Sequence, residues 1–492
     1  MDYFDSEITE DSNEIKKSPK QKKPGRRFNE LNVIMYFFVG LFLIMTAYFA
    51  YYVQIKAPDT INSSYNMRQT NLAKKVIRGK IFAANGDILA EQAINSEGAE
   101  VRYYPYKEIF AQAVGYSTHG ASGVESIANI ALLTSDSPID ERLQKEMAGV
   151  RNYGDDIYTT FDVNLQKTAV EALGVYKGAI VVLDAKTGAI MAMVSKPDYD
   201  PNTVSENWAQ VASDTDNSPL INRTVQGLYP PGSAFKTVTL LEYLKEHSDS
   251  YEDYSYNCSG SITYDDVTIS CYHGSVHGSE DLLGSFAKSC NCSFANIGLN
   301  LNLKKYAATC KKLLFNQELP VDYSYSKSSF SLSSSSDTEE IMQSAIGQGK
   351  TLMTPMHMAL LTEAVANDGM MMRSYVITKQ TNYLGDLIKS YEPEEYKRIM
   401  TEEEAEIVQK FMKEVVKTGT GRKLNGLSYA VAGKTGSAEF GTVKGNSHAW
   451  FTGYSNPEDP DIVVTVIVEG AGSGSDYAVP MAKRIFDAYY GG

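Results

Sequence analysis

A serine and a lysine three residues apart, Ser233 and Lys236, are the pair in this sequence best suited to nucleophilic chemistry. Residues three apart share one face of a helix, and the apolar run that begins at Val238 predicts a buried helix here. A desolvated lysine can act as the base for a neighbouring hydroxyl, so no histidine is required. The pair therefore predicts an acyl-transfer enzyme.

The same spacing occurs twice more, at Ser285–Lys288 and at Ser324–Lys327, so the surroundings must decide between the pairs. The last of these lies in a stretch, 324–336, that holds nine serines and is typical of a solvated loop. A Pro-Pro-Gly turn at 230–232 precedes Ser233 instead. Ser233 is therefore expected near a helix N-terminus, where unpaired backbone N–H groups favour developing negative charge.

Two further short motifs follow along the chain. The first places Ser289 and Asn291 on either side of a cysteine. The second is Lys-Thr-Gly-Ser at 434–437, in an apolar segment that predicts a strand. A lysine and hydroxyls on an edge strand can hold a carboxylate, and a glycine beside them lets a ligand approach the backbone. The order and joint occurrence of the three motifs are a stronger signal than any one of them.

Ser-x-x-Lys, then Ser-x-Asn, then Lys-Thr-Gly is the motif set of the penicillin-binding proteins and serine β-lactamases, which this chain resembles. The resemblance covers about residues 70–492. The opening of a class B pedestal is similar to 78–90. Four longer segments look like the transpeptidase domain of high-molecular-weight penicillin-binding proteins: 159–202, 222–237, 345–359 and 432–454.

The resemblance assigns a role to each residue of the first two motifs. Ser233 would attack the carbonyl between two D-alanines of a peptidoglycan stem peptide, and Lys236 would take its proton. An exposed lysine is too basic for this task, so burial and a second cation, Lys434, would lower its pKa to about 7 to 8. Ser289 would relay the proton to the leaving amine. Asn291 would orient Lys236 and the substrate amide.

The family analogy also assigns the substrate-binding groups. The backbone N–H groups of Ser233 and Ser437 would form the oxyanion hole. The hydroxyls of Thr435 and Ser437, with Lys434 and beside Gly436, would grip the terminal carboxylate. Many relatives carry threonine at the position of Ser437, a difference that keeps the hydroxyl.

The fold implied by the resemblance is α/β (α+β). It consists of a penicillin-binding/β-lactamase-like transpeptidase domain, 156–492, and a small, mainly β, dimerisation-like class B pedestal, 55–155. Asn85 and Gly86 predict a hairpin in the pedestal. The catalytic domain is expected to have a five-stranded antiparallel sheet covered by helices, and Asp476 is expected to cap the closing helix. The predicted strands are 178–183, 189–195, 434–440, 448–455 and 462–469.

An uncharged apolar stretch predicts one transmembrane anchor at 31–54, after a basic cytoplasmic tail at 1–30. The positive-inside rule then makes the protein a single-pass protein of the cell membrane with an extracytoplasmic catalytic domain. A cleaved signal peptide is the rival interpretation, but the apolar run is longer than usual and has no small-x-small site at its end. The net charge of −14 argues against a nucleic-acid partner.

The function predicted from these features is that of a short class B peptidoglycan D,D-transpeptidase, acting on stem peptides of the lipid-linked precursor and acylated by β-lactams. The alternatives are a β-lactam-binding sensor or scaffold with little turnover, or a D,D-carboxypeptidase. The segment 55–155 leaves no room for the glycosyltransferase domain of a class A enzyme. A separate membrane glycosyltransferase of the shape, elongation, division and sporulation family is therefore the expected partner.

All five cysteines fall within the predicted catalytic domain: Cys258, Cys271, Cys290, Cys292 and Cys310. The first two flank a strand-like segment, 262–269, and could form a disulfide, which an extracytoplasmic location permits. The pair beside Asn291 is expected to be small and buried. A zinc site with His273 and His277 is another possibility, but the spacing matches no standard zinc motif. No metal ligand and no cofactor is therefore predicted.

Overall fold

The computed structural model describes residues 27–53, 75–440 and 446–491, in two compact units, Met1–Ile61 and Asn62–Gly492. Of the first unit it describes α1 (Arg27–Tyr51), which carries the only stretch of described residues long and apolar enough to cross a membrane, Glu30–Tyr51. This stretch has a mean hydropathy of 2.2 and none of it is buried, in agreement with the predicted anchor. Most of the predicted basic tail and residues 54–74 lie outside the described residues.

The strands of the second unit are numbered in chain order: β1 (Val76–Ile77), β2 (Ile81–Phe82), β3 (Ile88–Ile94), β4 (Glu100–Tyr103), β5 (Asn152–Tyr153), β6 (Asp156–Thr159), β7 (Gly178–Asp184), β8 (Ile190–Lys196), β9 (Ser255–Cys258), β10 (Ser261–Tyr264), β11 (Val267–Ser270), β12 (Gly278–Asp281), β13 (Met370–Met372), β14 (Ile377–Thr381), β15 (Leu387–Ser390), β16 (Glu395–Arg398), β17 (Val431–Glu439), β18 (Ser447–Ser455) and β19 (Ile462–Val468).

The α-helices of this unit are numbered in the same way: α2 (Ala111–Val114), α3 (Gly123–Ile127), α4 (Asn129–Leu132), α5 (Ile139–Met147), α6 (Val163–Leu173), α7 (Trp208–Ser213), α8 (Lys236–Glu246), α9 (Leu282–Ala287), α10 (Asn291–Asn300), α11 (Leu303–Lys312), α12 (Thr338–Ala345), α13 (Pro355–Ala366), α14 (Glu402–Lys417) and α15 (Ala478–Tyr489).

The predicted pedestal region is rich in short strands, with the short helices α2 to α5 between them. The predicted hairpin is present, because β2 and β3 pair antiparallel around a turn in which Gly86 has a φ of +88°. A six-stranded sheet has the order β15-β14-β6-β2-β3-β4. Since β14 and β15 come from beyond residue 156, this sheet joins chain segments from both sides of the predicted domain boundary.

The central sheet of the catalytic part has five strands in the order β17-β18-β19-β7-β8, and every pair is antiparallel. This is the sheet expected from the resemblance. Side chains alternate between its faces: Ile180 and Val182 of β7 pack with α6 and α15, whereas Val181 and Leu183 face the core that contains α13. Both faces are covered, which explains why the strands read as continuous apolar runs.

The closing helix α15 begins as predicted near residue 478, but the expected cap is wrong. Tyr477 occupies the N-cap position without a capping side-chain hydrogen bond. The carboxylate of Asp476 accepts a hydrogen bond from Lys423 Nζ at 2.8 Å instead. An exposed ion pair with a neighbouring segment therefore replaces the local cap.

Candidate active site

Ser233 lies in a single 3₁₀ turn, Gly232–Phe235, that leads directly into α8. The turn has a fixed place because the N–H of Gly232 donates to the carbonyl of Gly347 at 2.8 Å and Trp450 Nε1 donates to the carbonyl of Pro230 at 3.1 Å. Ser233 is half-buried, and among the described residues its hydroxyl has no hydrogen-bond partner. The hydroxyl is thus held at a helix N-terminus and is free to react.

The edge strand β17 lies directly against this turn. A Cβ added at Gly436 would lie 3.0 Å from the carbonyl oxygen of Pro231 and 3.2 Å from the nitrogen of Ala234. Only glycine allows so close an approach without a shift. The close approach brings the Lys-Thr-Gly-Ser segment beside the turn that carries Ser233.

Lys236 is fully buried, and its amine contacts the second motif. Its Nζ donates hydrogen bonds to the carbonyl oxygen of Ser289 and to Oδ1 of Asn291, both at 2.7 Å. The hydroxyl of Ser289 lies 3.4 Å away. Asn291 itself is held by a bond from its Nδ2 to the carbonyl of Ser270 at 3.0 Å. The structure therefore brings Lys236, Ser289 and Asn291 together.

Lys434, on β17, contacts the same serine. Its fully buried amine donates to Ser289 Oγ at 2.9 Å and to the carbonyl of Thr435 at 3.1 Å. The hydroxyl of Ser289 is thus shared by two lysine amines. Such a bridge can pass a proton from one amine towards a leaving group held near the other.

Burial lowers the pKa of Lys236 to about 8, while the sulfurs of Cys290, Cys271 and Cys292 act in the opposite direction. Burial also lowers the pKa of Lys434 well below its ordinary value, and repulsion by Lys236 lowers it further. The sequence predicts that burial and the nearby cation Lys434 together lower the pKa of Lys236. In the structure, desolvation is the main cause of the lowered pKa of both amines. Charge repulsion between them lowers the pKa of Lys434.

Ser289 has a left-handed backbone, with a φ of +59°, at the junction between α9 and α10. A non-glycine residue in this region is uncommon and is retained where the surroundings fix it. Cys290, the next residue, caps α10 by accepting a hydrogen bond from the N–H of Ser293. The cap and the unusual φ together turn Ser289 and Asn291 towards Lys236.

The hydroxyls of the third motif have partners that the sequence motifs did not indicate. Thr435 Oγ1 lies 2.5 Å from Thr420 Oγ1, and Ser437 Oγ accepts a hydrogen bond from the N–H of Gly474 at 3.2 Å. Thr420 also receives support from Ser475, whose hydroxyl donates to its carbonyl at 2.8 Å. In the sequence, the alternation of threonine and glycine at 418–421 was the feature that could have indicated Thr420 as a site residue.

The two other Ser-x-x-Lys pairs do not form comparable sites. Lys288 forms an ion pair with Glu280, and its side chain is 47% exposed. Lys327 pairs with Glu318 at 2.6 Å and is 52% exposed. Each of these amines is exposed to solvent and paired with a carboxylate, so neither is a desolvated base beside its serine. Of the three pairs, that of Ser233 is the only one whose lysine is buried.

The sequence left open a disulfide between Cys258 and Cys271, and the structure does not contain it. Both residues are buried free thiols, and their sulfurs lie 3.7 Å apart, whereas a disulfide bond is about 2.05 Å long. Cys290 and Cys292 are buried, as expected. His273 lies on the surface with a φ of +51°.

Comparison with known proteins identifies the family to which this site belongs. Residues 178–487, which contain all three motifs, match the model of the penicillin binding protein transpeptidase domain. The chain belongs to this family. Residues 78–157 match the penicillin binding protein A dimerisation domain, which accounts for the short strands before the catalytic part. The protein is therefore a class B penicillin-binding protein.

Individual relatives agree with this assignment. The chain is 28% identical over 442 residues to peptidoglycan D,D-transpeptidase PbpA of Mycolicibacterium smegmatis, covering 84% of this chain and 88% of the relative. Penicillin-binding protein A of M. tuberculosis, solved as an imipenem acyl-enzyme complex, is 25% identical with a TM-score of 0.77, covering 85% of this penicillin-binding protein and 99% of that chain. The D,D-transpeptidase domain of a peptidoglycan glycosyltransferase from Eggerthella lenta has 27% identity, a TM-score of 0.74 and the same coverage.

Proposed function

We propose that this penicillin-binding protein is a peptidoglycan D,D-transpeptidase with Ser233 as its nucleophile. The observation that carries the proposal is that two buried lysines, Lys236 and Lys434, both donate hydrogen bonds to Ser289 Oγ, with Lys236 one helical turn after that nucleophile. This arrangement supplies a base and a proton relay in a site of low solvent access. The relatives named D,D-transpeptidase support the same activity.

In the acylation step, Ser233 Oγ attacks the carbonyl carbon between the two terminal D-alanines. The neutral amine of Lys236 takes the hydroxyl proton as the new C–O bond forms. The C–N bond then breaks, and Ser289 gives its hydroxyl proton to the departing amine of D-alanine as it takes the proton held by Lys236. In the second step an amine of another stem peptide attacks the ester, forms the cross-link and returns the proton to Ser233.

The remaining assignments follow from the position of β17 against the nucleophile turn. The backbone N–H groups of Ser233 and Ser437 form the oxyanion hole, where loss of one donor costs about 3 to 4 kcal/mol. Lys434, Thr435 and Ser437 hold the terminal carboxylate beside Gly436. The short distance between the strand and the turn, measured at Gly436, supports this placement.

A β-lactam enters the same reaction as a substrate mimic. Its strained amide is attacked by Ser233, and the ring opens to leave an ester on the enzyme. The relative solved as an imipenem acyl-enzyme complex supports this outcome. The account therefore predicts covalent labelling by penicillins at one serine.

The protein is membrane-anchored, and we infer a single span with the basic residues before it in the cytoplasm. The reason is the cluster of lysines and arginines at 15–29 beside the apolar helix. The region 55–155 then acts as a pedestal for the transpeptidase domain, 156–492, outside the cell. A class B enzyme lacks its own glycan polymerase, so the partner is a membrane glycosyltransferase of the shape, elongation, division and sporulation family.

A cross-linking assay tests the proposed activity. The full-length protein is combined with lipid-linked peptidoglycan precursor and such a glycosyltransferase, and the digested product is analysed for cross-linked dimers and released D-alanine. We expect cross-linked dimers with the wild type and none with Ser233→Ala. Release of D-alanine without dimers would contradict transpeptidation and indicate a carboxypeptidase. Covalent penicillin labelling without either product would indicate a sensor or scaffold.

A further inference from the structure

Three thiols and one imidazole gather beside the second motif. The ligand atoms of Cys258, Cys271, His277 and Cys290 all lie within 4.8 Å of one another. The sulfurs of Cys258 and Cys271 are 3.7 Å apart, as are those of Cys271 and Cys290. Nδ1 of His277 lies 3.5 Å from the sulfur of Cys258.

The three measured distances, two S–S and one S–N, are those expected between ligands of one tetrahedral metal ion. With Zn–S bonds of about 2.3 Å and a Zn–N bond of about 2.0 to 2.1 Å, two sulfurs are about 3.8 Å apart and a sulfur and a nitrogen about 3.5 Å apart. The observed 3.7 and 3.5 Å agree with both values. A disulfide would require contact at about 2.05 Å. The geometry thus fits metal ligation and does not fit oxidation.

Local structure brings the four ligands together from separate elements. Antiparallel pairing of β9 with β12 places Cys258 opposite Gly278, the residue after His277. The β10–β11 hairpin returns the chain so that the N–H of Cys271 donates to the carbonyl of Gly260 at 2.9 Å. Cys290 comes from the start of α10. The cysteine and histidine side chains thereby connect two short two-stranded sheets, β9–β12 and β10–β11, to the start of α10.

Backbone donors support the charged form of two of the sulfurs. The N–H of Gly260 points to Cys258 Sγ, and the N–H of Ser293 points to Cys290 Sγ, each at 3.4 Å. Hydrogen bonds from such outer groups orient metal ligands and stabilise thiolates. The three cysteines are buried, so an ion held here is protected from solvent.

We propose that Cys258, Cys271, His277 and Cys290 bind one zinc ion, or a closely similar divalent ion, in a closed structural site. As the ion binds, the three thiols lose their protons to solvent and the imidazole binds as the neutral base through Nδ1. Four protein ligands complete a tetrahedron, so the ion has no open position for catalysis. Cys292, whose sulfur is 3.4 Å from that of Cys271, stays outside the group of four.

The site has a direct structural link to the active site. Cys290 separates Ser289 from Asn291, the two residues that contact Lys236. An ion bound to Cys290 therefore fixes the segment that carries the proton relay. We assign the ion a positioning role and no contact with substrate.

Metal analysis of the full-length wild-type protein in detergent is the first test. After growth with zinc, we expect about one equivalent of zinc per chain by mass spectrometry of the elements. Replacement by cobalt should give the thiolate-to-cobalt charge-transfer absorption of a tetrahedral sulfur site. Absence of a stoichiometric ion after reconstitution with either metal would overturn the proposal. So would an intact mass lower by two hydrogens with a disulfide mapped to Cys258 and Cys271.

Matched variants separate this site from general effects of losing a thiol or an imidazole. Cys258→Ser and His277→Ala should lose the ion. Cys310→Ser removes a buried cysteine outside the cluster, and His273→Ala removes a nearby surface histidine; both should keep the ion. Retention of zinc and of the cobalt spectrum by both Cys258→Ser and His277→Ala would overturn the assignment.

A measurement on unaltered protein remains decisive if a ligand variant fails to fold. A mercurial thiol reagent is added stepwise to the wild type, and released zinc is followed with a chromogenic chelator. We expect zinc release to rise in step with thiol modification, because the ion is held by thiolates. Complete thiol modification without zinc release would contradict ligation by cysteine.

Discussion

At the residue scale, the site depends on two lysine amines that share one serine hydroxyl. Both amines are fully buried, and burial lowers the pKa of each. A pair of like charges in a desolvated site is unfavourable, so burial and mutual repulsion oppose simultaneous charge on Lys236 and Lys434. A neutral amine next to a charged one is the state needed for a base and a proton donor on either side of Ser289.

Acylation of Ser233 is expected to depend on pH through Lys236. The amine must be neutral to accept a proton, and its pKa is lowered to about 8, so the active fraction grows as pH rises through that value. The second-order rate constant for penicillin acylation should therefore rise from about pH 6 and level off above about pH 8 to 9. Stopped-flow measurement with a reporter β-lactam checks this. A rate that is flat or falls over this range would contradict the assignment of Lys236 as base.

Removal of the base is expected to slow acylation without removing the nucleophile. Lys236→Ala should lower the acylation rate constant by about 10²- to 10⁴-fold, the usual contribution of a positioned general base. Lys327→Ala is the matched control, since it removes the lysine of another Ser-x-x-Lys pair that is exposed and paired with Glu318. Rates are compared by time-resolved labelling with fluorescent penicillin. Equal rates in both variants would contradict the role of Lys236.

The residue types and order of the three motifs pointed to Lys236, Ser289, Asn291 and Lys434, which the structure brings into contact with one another. Thr420 was missed because its partner, Thr435, lies on a strand beyond a loop, and no periodic pattern links them. The sequence left open a zinc site with the histidines near Cys258 and Cys271, and it missed Cys290 because the ligands come from separate elements. Their sequence spacing follows from strand pairing and matches no local zinc motif. The sequence motifs carry no information about contacts between elements that are far apart in the chain.

At the element scale, the approach of β17 to the nucleophile turn controls the site. Gly436→Ala should displace the strand, because the added Cβ would lie 3.0 Å from both the carbonyl oxygen of Pro231 and the Cβ of Trp450. We expect at least a tenfold lower rate of penicillin acylation, with the fold retained. Gly40→Ala, in open space on α1, is the control and should keep the wild-type rate. Wild-type acylation by Gly436→Ala would contradict the close approach.

A buried charge cluster supports the elements before the catalytic part. Glu125 is fully buried and forms ion pairs with Arg78 and Arg102, each at 2.6 Å. Glu125→Ala would leave two arginines without their partner and should lower the free energy of unfolding by about 3 to 5 kcal/mol.

Urea unfolding followed by circular dichroism measures this loss. The control is Glu458→Ala, which removes an exposed ion pair with Lys413 and should cost much less than the loss of Glu125. Similar losses of unfolding free energy in the two variants would show that burial does not increase the contribution of the Glu125 ion pairs to stability.

The central sheet was predictable at this scale because its strands are apolar and bounded by turns. The first part of β17 was missed, since pairing with β18 extends the strand back to Val431, opposite Ser455. The domain boundary at 156 is less simple than the sequence suggested. There β6 pairs with β2 on one side and β14 on the other. Strand pairing between segments more than 200 residues apart cannot be predicted from the local composition of either segment.

At the scale of the whole molecule, a catalytic unit follows an apolar helix that can cross a membrane. Serine acyl-transfer chemistry on an anchored protein suits a polymer that is built at the membrane surface. The family match over 178–487 and the dimerisation-domain match over 78–157 account for most of the second unit. The Ser-x-x-Lys, Ser-x-Asn and Lys-Thr-Gly motifs all lie within the first of these matches.

The central claim is that Ser233 is the residue that becomes acylated. Full-length protein is treated with penicillin, digested, and mapped by peptide mass spectrometry, in parallel with Ser233→Ala and with Ser324→Ala from the serine-rich loop. We predict a single adduct on Ser233 in the wild type and in Ser324→Ala, and no adduct in Ser233→Ala. An adduct on any other residue, or labelling that persists in Ser233→Ala, would contradict the account.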